Sequence, residues 1–498
     1  MRKINEINNI AIVGGGSSAW ITAALLSHDL PFLNITIIDK EIGTPVGVGE
    51  GTLLSFDKIM SRCGFSIDEW FFEVDAAVKG GILFPGWGKN EADVWHPFLF
   101  PQSQWIKDTP VTSTFDAWAK HQEYDFNESA QAYHSVTLKH NSIDVDDLSG
   151  YAYHIDAGKL VKYIQKKLAN RSNVKSIQSE VVNIIRNNET HNIEKLILKD
   201  NTEVTADLYV DCTGFNAILN HKPNKVTLEG RLFCDTAIAA HVPYENIEKE
   251  FRPYVISEQV DHGWVWNIPV QSRIGSGIVF NRSITDIEEA KEYFIKYWDN
   301  RITNDNLKVI DWTPFYNTNM WHENVVSIGL SGGFIEPLES TGLAMIIVGV
   351  EHLAFSITPK FYTPATVDYF NNLMSNYYED AIDFVSMHYA LPEKDTKFWN
   401  WVRNTFVKSE MQQYYETQLL KTTGDLPRAG TGYMFCGSNW VTWLIQMGYK
   451  VNPVIDGLTD KQSLDFLLHN KKLEEIRVSR SVSHIDYIKR LQSRKNWY

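Results

Sequence analysis

Short apolar runs broken by glycine open the chain. Ile10–Val13 reads as a buried strand, Gly14–Ala19 as a tight glycine turn, Trp20–Leu30 as a helix with apolar residues at helical spacing, and Asn34–Ile38 as a second strand. That order predicts a right-handed βαβ unit with parallel strands. Further strands are expected over Val181–Ile185, Ile193–Leu198 and Leu208–Val210, separated by polar turns at Asn187-Asn188 and Asp200-Asn201. After Pro359 the pattern becomes predominantly helical and rich in aromatics, among them Trp399, Trp401, Tyr414, Tyr415, Trp440 and Trp443. Such a region suits the covering of a substrate. Internal repeats, low-complexity tracts and Pro/Gly/Ser linkers are missing from the sequence, so the modules are expected to interleave.

Composition narrows the class. Of 498 residues, 44% are hydrophobic and 13% aromatic, enough to bury the large core of a globular protein. Lys and Arg total 47 against 61 Asp and Glu, a net charge of −14. That balance argues against nucleic acid or an anionic membrane as partner. Cys63, Cys212, Cys234 and Cys436 are widely spaced and form no Cys-x-x-Cys pair, so neither a disulfide framework nor a metal site is expected. A reducing, cytoplasmic location fits best. The apolar stretch Ile10–Val13 is too short for a signal-peptide core, and the run Leu343–Val350 meets Glu351 and His352 well short of the roughly 20 residues that span a bilayer. No membrane association is expected.

The first glycine turn carries candidate chemistry. Gly14, Gly16 and Ala19 fill the three small positions of a dinucleotide fingerprint, with Ser17 and Ser18 between them. Small residues there let the backbone approach a pyrophosphate at a helix N-terminus. Asp39 closes the second strand where a ribose hydroxyl would need a carboxylate; a glycine turn that binds nothing is the plainer alternative. The segment Tyr209-Val210-Asp211-Cys212-Thr213-Gly214 has the form strand, acid, small residue, glycine, which commonly brings a second backbone approach to a FAD. For that reason FAD is preferred over a nicotinamide. Asp211 and Gly214 suit an ordinary strand-end turn equally well.

At Gly263-Trp264-Val265-Trp266-Asn267-Ile268-Pro269 the chain resembles the flavin-dependent tryptophan halogenases, whose WxWxIP signature it matches in full. A lone Trp-x-Trp would more simply be core. Other landmarks of that family follow in order: Val48-Gly49-Glu50-Gly51-Thr52 resembles the flavin-contacting strap, Ala77-Val78-Lys79-Gly80-Gly81-Ile82 the segment of the catalytic lysine, and Phe334 to Gly342 the glutamate and halide segment. Gly51 and Leu54 stand where the family's strap usually has Ala and Pro.

The fold that the resemblance implies is α/β. A Rossmann-like, glutathione-reductase-like FAD-binding module is expected over residues 1–95, 150–235 and 320–358, interleaved with a mainly helical, aromatic-rich substrate module over 96–149, 236–319 and 359–498. It also implies flavin contacts at Gly49, Glu50, Gly329, Pro337 and Leu338, halide ligands at Thr341 and Gly342, catalytic roles for Lys79 and Glu339, and substrate contacts at His96, Phe98, Trp264, Trp266 and Phe435. Plainer alternatives exist for several of these residues. Lysine is usually a solvated charge, although Lys79 lies among apolar neighbours; Glu339 could complement a helix dipole; and His96-Pro97-Phe98 could be a structural turn.

The implied reaction uses reduced FAD, oxygen and a halide (chloride, bromide or iodide) to make hypohalous acid, which reaches an electron-rich aromatic through Lys79. Relatives that take free tryptophan carry a glutamate in the stretch matching Thr422–Cys436, and this sequence has none there. A neutral indole or phenol is therefore the expected substrate, since a glutamate at the aligned place is what would pair the ammonium of a free amino acid. With one dinucleotide fingerprint only, a separate flavin reductase is implied as partner, and a homo-oligomer is compatible with the sequence. The rival readings are a FAD-dependent aromatic monooxygenase that hydroxylates and an inert FAD-binding protein.

Overall fold

Continuous apolar runs such as Asn-Ile-Ala-Ile-Val lack strand alternation because their strands are covered on both faces, as parallel strands are. A computed structural model describes residues 5–40, 49–98, 104–106, 109–111, 114–129, 139–145, 151–390, 392–419, 433–449, 451 and 459–495. Outside these lie Val48 of the strap and residues 422–432 of the stretch that matches the family's glutamate segment.

The chain divides into two units. The first comprises Met1–Ala76, Ile155–Glu229 and Thr313–Glu379; the second comprises Ala77–His154, Gly230–Trp312 and Asp380–Tyr498. The sequence predicts divisions at 95/96, 149/150, 235/236, 319/320 and 358/359, of which the first and the last differ most from those of the structure. Residues 77–95 fall in the second unit because Gly81–Phe84 pairs there with Val255–Val260. Residues 359–379 fall in the first, where Tyr378 stacks on Tyr316 at 5.5 Å and Phe370 meets Trp321 edge-on.

In the first unit a six-stranded sheet runs in the order Val174–Gln178, Asn34–Asp39, Asn9–Val13, Leu208–Asp211, Val325–Ser327, Trp321–His322. Its first five strands are parallel and the last is antiparallel. The helix Ser17–Asp29 packs on Ala157–Leu168 and Thr341–Ile357. An antiparallel meander, Val181–Arg186, Ile193–Leu198 and Glu203–Val204, shares a core with the sheet through Leu196, Leu198, Ala11, Val13 and Tyr209. The βαβ unit and these strands are thus as the hydrophobic pattern predicts.

The second unit joins the expected aromatic-rich helices to a seven-stranded sheet. Its order is Lys308–Asp311, Thr236–Val242, Arg273–Phe280, Gly263–Val270, Val255–Val260, Gly81–Phe84, Val94–Pro97. The helix Ile287–Tyr297 covers one face, burying Phe294 against Ile238, Val265 and Ile278. Among the described residues no helix is long and apolar enough to cross a membrane.

Candidate active site

In the first unit each glycine of the N-terminal turn has its own reason. Gly14 has φ +133°, and a Cβ there would lie 2.2 Å from the carbonyl oxygen of Cys212. A Cβ on Gly15 would lie 1.9 Å from the buried Asp39 carboxylate. Gly16, at the N-terminus of the helix Ser17–Asp29, instead faces space that no described residue fills. A β-carbon would project into that space, and a diphosphate could occupy it against the helix N–H groups. FAD fits this turn.

Asp211 does other work. Its Oδ1 accepts from the Thr213 N–H and hydroxyl at 3.0 and 2.6 Å, and its Oδ2 from the N–H groups of Leu219 and Asn220 at 2.7 and 3.3 Å. Burial pushes this carboxyl up, against the pull of those bonds. The strand-end turn is therefore what its side chain serves, while Gly214, at φ +69° with open space above it, remains accessible to a cofactor. Gly329, at φ +77°, lets its backbone approach Ser18, whose Cβ would lie 2.8 Å from an added β-carbon. Partial burial at the strand Glu50–Gly51 pushes the Glu50 carboxyl up to about 7, next to Gly49 at φ +85°.

Pro337–Glu339 forms a single turn with Leu338 and Glu339 buried. The left-handed Ser340, φ 58°, then starts the helix Thr341–Ile357. Thr341 is buried, and a Cβ on Gly342 would meet nothing among the described residues. The first turn of a 17-residue helix is thus open at a residue with no side chain to fill it, a suitable setting for a monatomic anion at free N–H groups.

In the second unit the strand Ala77–Lys79 pairs antiparallel with Ala152–Ile155, placing Lys79 opposite Ala152. Lys79 is 0% exposed, and its Nζ stands 4.8 Å over the ring of Phe98. The solvated-charge alternative fails for this lysine. His96 lies on the edge strand Val94–Pro97, opposite Ile82, and its Nε2 is 2.8 Å from Asn439 Nδ2. Because Asn439 Oδ1 accepts the Cys436 N–H at 2.9 Å, its amide nitrogen donates to His96, which fixes Nε2 as the acceptor.

Trp264 and Trp266 project from one face of Gly263–Val270, their rings 6.1 Å apart. Behind the strand, Ser276 Oγ donates to the Trp266 carbonyl at 2.7 Å or to Asn267 Oδ1 at 2.8 Å, Asn267 Nδ2 donates to the Tyr297 hydroxyl, and Tyr297 donates to Glu258. Phe435 stacks on Phe384 at 4.0 Å, and its N–H, like that of Met434, donates to Asp380 at 2.8 Å.

A family model described as tryptophan halogenase matches residues 9–460. The chain belongs to that family. Tryptophan 6-halogenase ThaL of Streptomyces albogriseolus is 27% identical over 454 residues, 86% of this chain and 85% of its own length. Two solved structures share the fold: Xcc4156, a flavin-dependent halogenase from Xanthomonas campestris, with a TM-score of 0.88, 24% identity and 98% coverage of both chains, and BrvH, a flavin-dependent halogenase from Brevundimonas sp. BAL3, with a TM-score of 0.87, 24% identity and coverage of 98% and 99%. This tryptophan halogenase family member is an enzyme, a flavin-dependent halogenase whose cofactors are reduced FAD and a halide.

The halogenase's candidate residues fall into two sets. Those expected at the flavin and halide, together with Glu339, all belong to the first unit; Lys79, His96, Phe98, Trp264, Trp266 and Phe435 belong to the second. Sequence reasoning missed Gly15, Asp380 and Asn439. Gly15 had a signal in the sequence as the middle residue of a Gly-Gly-Gly run, and Asn439 as part of Ser438-Asn439, which resembles a Ser-Asn of the family; neither signal revealed the contact the residue makes. Elsewhere in the first unit His221, His322 and Glu323 bring ligand atoms within 4.8 Å of one another.

Proposed function

We propose that this halogenase turns halide into hypohalous acid where FAD is held and spends it at Lys79 on a neutral, electron-rich aromatic of the indole or phenol type. When bound, reduced FAD supplies, with oxygen, the two-electron oxidation of the halide. Gly14, Gly16, Ser17, Ser18, Ala19 and Asp39 would hold the cofactor's diphosphate and ribose, with Gly49, Glu50, Gly214, Gly329, Pro337 and Leu338 along the remainder. The Thr341 and Gly342 N–H groups hold the halide at the helix start.

Lys79 presents the electrophilic halogen, as a haloamine or through a hydrogen bond. Glu339 stabilises the cationic ring intermediate and assists loss of its proton. His96, Phe98 and Phe435 orient the ring, and the orientation selects the carbon attacked. Trp264 and Trp266 keep the organic substrate from the flavin. A separate flavin reductase supplies the reduced cofactor.

The observation that carries this reading is the fully buried Lys79, set over Phe98 in the unit that holds the two signature tryptophans. Burial of an ammonium is costly unless it is used or compensated. The test supplies a flavin reductase, NADH, FAD and oxygen with each halide in turn and a panel of indoles and phenols, read by mass spectrometry. Halogenated product in the presence of halide, and none without it, is the expected result. An oxygenated product formed without halide would instead show a hydroxylase.

A further inference from the structure

The strand that carries Lys79 is flanked by two buried histidines, and they differ in what their nitrogens do. His484 stacks flat on Phe251, centroids 4.1 Å apart, and its Nε2 accepts the Val78 N–H at 3.1 Å. Burial pushes its imidazole down to about 3. This nitrogen is taken up by the backbone.

His154 is placed otherwise. It pairs with Ala77 while Ala152 pairs with Lys79, so His154 and Lys79 share one face of the ladder as diagonal neighbours. Such neighbours stand roughly 7–8 Å apart, within reach of long side chains. Its Nδ1 is 2.9 Å from the carbonyl oxygen of Pro269, the proline that ends the tryptophan signature. A carbonyl only accepts, so Nδ1 carries the hydrogen and Nε2 is left with a lone pair. That Nε2 is buried and has no hydrogen-bond partner among the described residues.

We infer that His154 is the proton acceptor through which Lys79 reacts. This rests on the reading of Lys79 given under Proposed function. In the resting site Lys79 and His154 Nε2 are not hydrogen-bonded, so the Lys79 ammonium passes its proton to Nε2 through one bridging water or after a shift of the flexible lysine side chain, and the freed nitrogen lone pair attacks the halogen of hypohalous acid. An N–halogen bond forms, the halogen–oxygen bond breaks, and the departing hydroxide takes the proton from Nε2 to leave as water. Ammonium plus hypohalous acid thus give haloammonium plus water, with the imidazole restored and no other reactant consumed.

The resting electrostatics agree. Desolvation first, and then the positive charge of Lys79, hold His154 well below the ordinary histidine range, so it rests as the neutral acceptor the relay requires. The Lys79 contribution vanishes as the ammonium gives up its proton, which raises the basicity of Nε2 at that moment. His154 is thereby a positioning and proton-transfer residue acting through Lys79.

The test compares His154→Gln, His154→Leu and Lys79→Ala in two assays. Gln retains a polar, hydrogen-bonding side chain that cannot carry a proton away; Leu removes both functions. In the reconstituted system, hypohalous acid is counted with a dimedone scavenger and halogenated aromatic by mass spectrometry. In flavin-free protein given hypobromous acid directly, the protein haloamine that survives desalting is counted by its oxidation of thionitrobenzoate.

Both His154 variants are expected to make wild-type amounts of hypohalous acid while losing about 10²-fold or more in halogenated product, the usual worth of a general base. The Lys79-dependent haloamine equivalent should form correspondingly slowly in flavin-free protein. Wild-type yield of halogenated aromatic, or wild-type formation of the Lys79-dependent haloamine, in His154→Gln overturns the inference, and so does loss of hypohalous acid production in the His154 variants. Full product from Lys79→Ala would overturn the lysine reading itself, separately from His154.

Discussion

Trp266 lies across Gly277. The two residues face each other on neighbouring antiparallel strands, and a Cβ on Gly277 would come within 2.2 Å of the far edge of the indole. The signature tryptophan therefore depends on a glycine eleven positions away, which no single-strand pattern reveals.

Gly277→Ala should overpack this contact and lower stability by about 1–3 kcal/mol. Because the tightest clash is with the ring, while the Ile238 carbonyl oxygen at 2.8 Å stays in place, Trp266→Leu in the same chain should recover part of that loss. Denaturant melts of both single variants and the double variant decide the matter. Losses that simply add would show that the glycine serves something other than the indole.

The glycine turn gives a paired prediction. Gly14→Ala meets the Cys212 carbonyl and forces an unfavourable φ, so the protein should be destabilised whether or not FAD is present. Gly16→Ala meets nothing and should melt within about 0.5 kcal/mol of wild type. Its added methyl fills the space proposed for the diphosphate, so FAD affinity should fall at least tenfold. Titration of FAD by fluorescence quenching tests this, and unchanged affinity would move the diphosphate elsewhere.

Glu474 predicts a pH dependence of stability. Burial outweighs the nearby Arg477, and the carboxyl is pushed from 4.5 up to about 8. The folded state then holds a proton that the unfolded state has released. Stability contributed by that proton is complete below about pH 4.5 and is lost as pH rises to about 8, amounting to a few kcal/mol. Glu474→Gln cannot titrate, so its melting temperature should fall less than that of the wild type between pH 5 and pH 8. Parallel curves would contradict the assignment.

Much of the first unit was legible because its signals are local. Apolar runs of about five residues, a glycine turn and an acid at a strand end lie within 40 positions, and the parallel sheet follows from them. The fingerprint template selected Gly14 and Gly16, whereas the contact of Gly15 with Asp39 depends on where the second strand ends. Most of the second unit's sheet was not read. Strands such as Thr236–Val242 and Arg273–Phe280 are buried almost throughout, so they show no alternation to separate them from other apolar segments. Asp211 was legible as an acid but not as one whose four acceptor sites serve its own turn. Asn439 and His154 act across 343 and 115 positions, on His96 and the Pro269 carbonyl; contacts at such separation in the chain are made by tertiary packing and leave no local pattern.

The most direct measurement is the fate of oxidant in Lys79→Ala. The reconstituted enzyme is run with bromide and an indole substrate, with halogenated indole counted by mass spectrometry and free hypobromous acid by a scavenger. Lys79→Ala should bind FAD normally and release as much oxidant as wild type makes, with halogenated indole falling to the level that free hypobromous acid produces. Regioselective halogenation at an undiminished rate in Lys79→Ala would contradict the account.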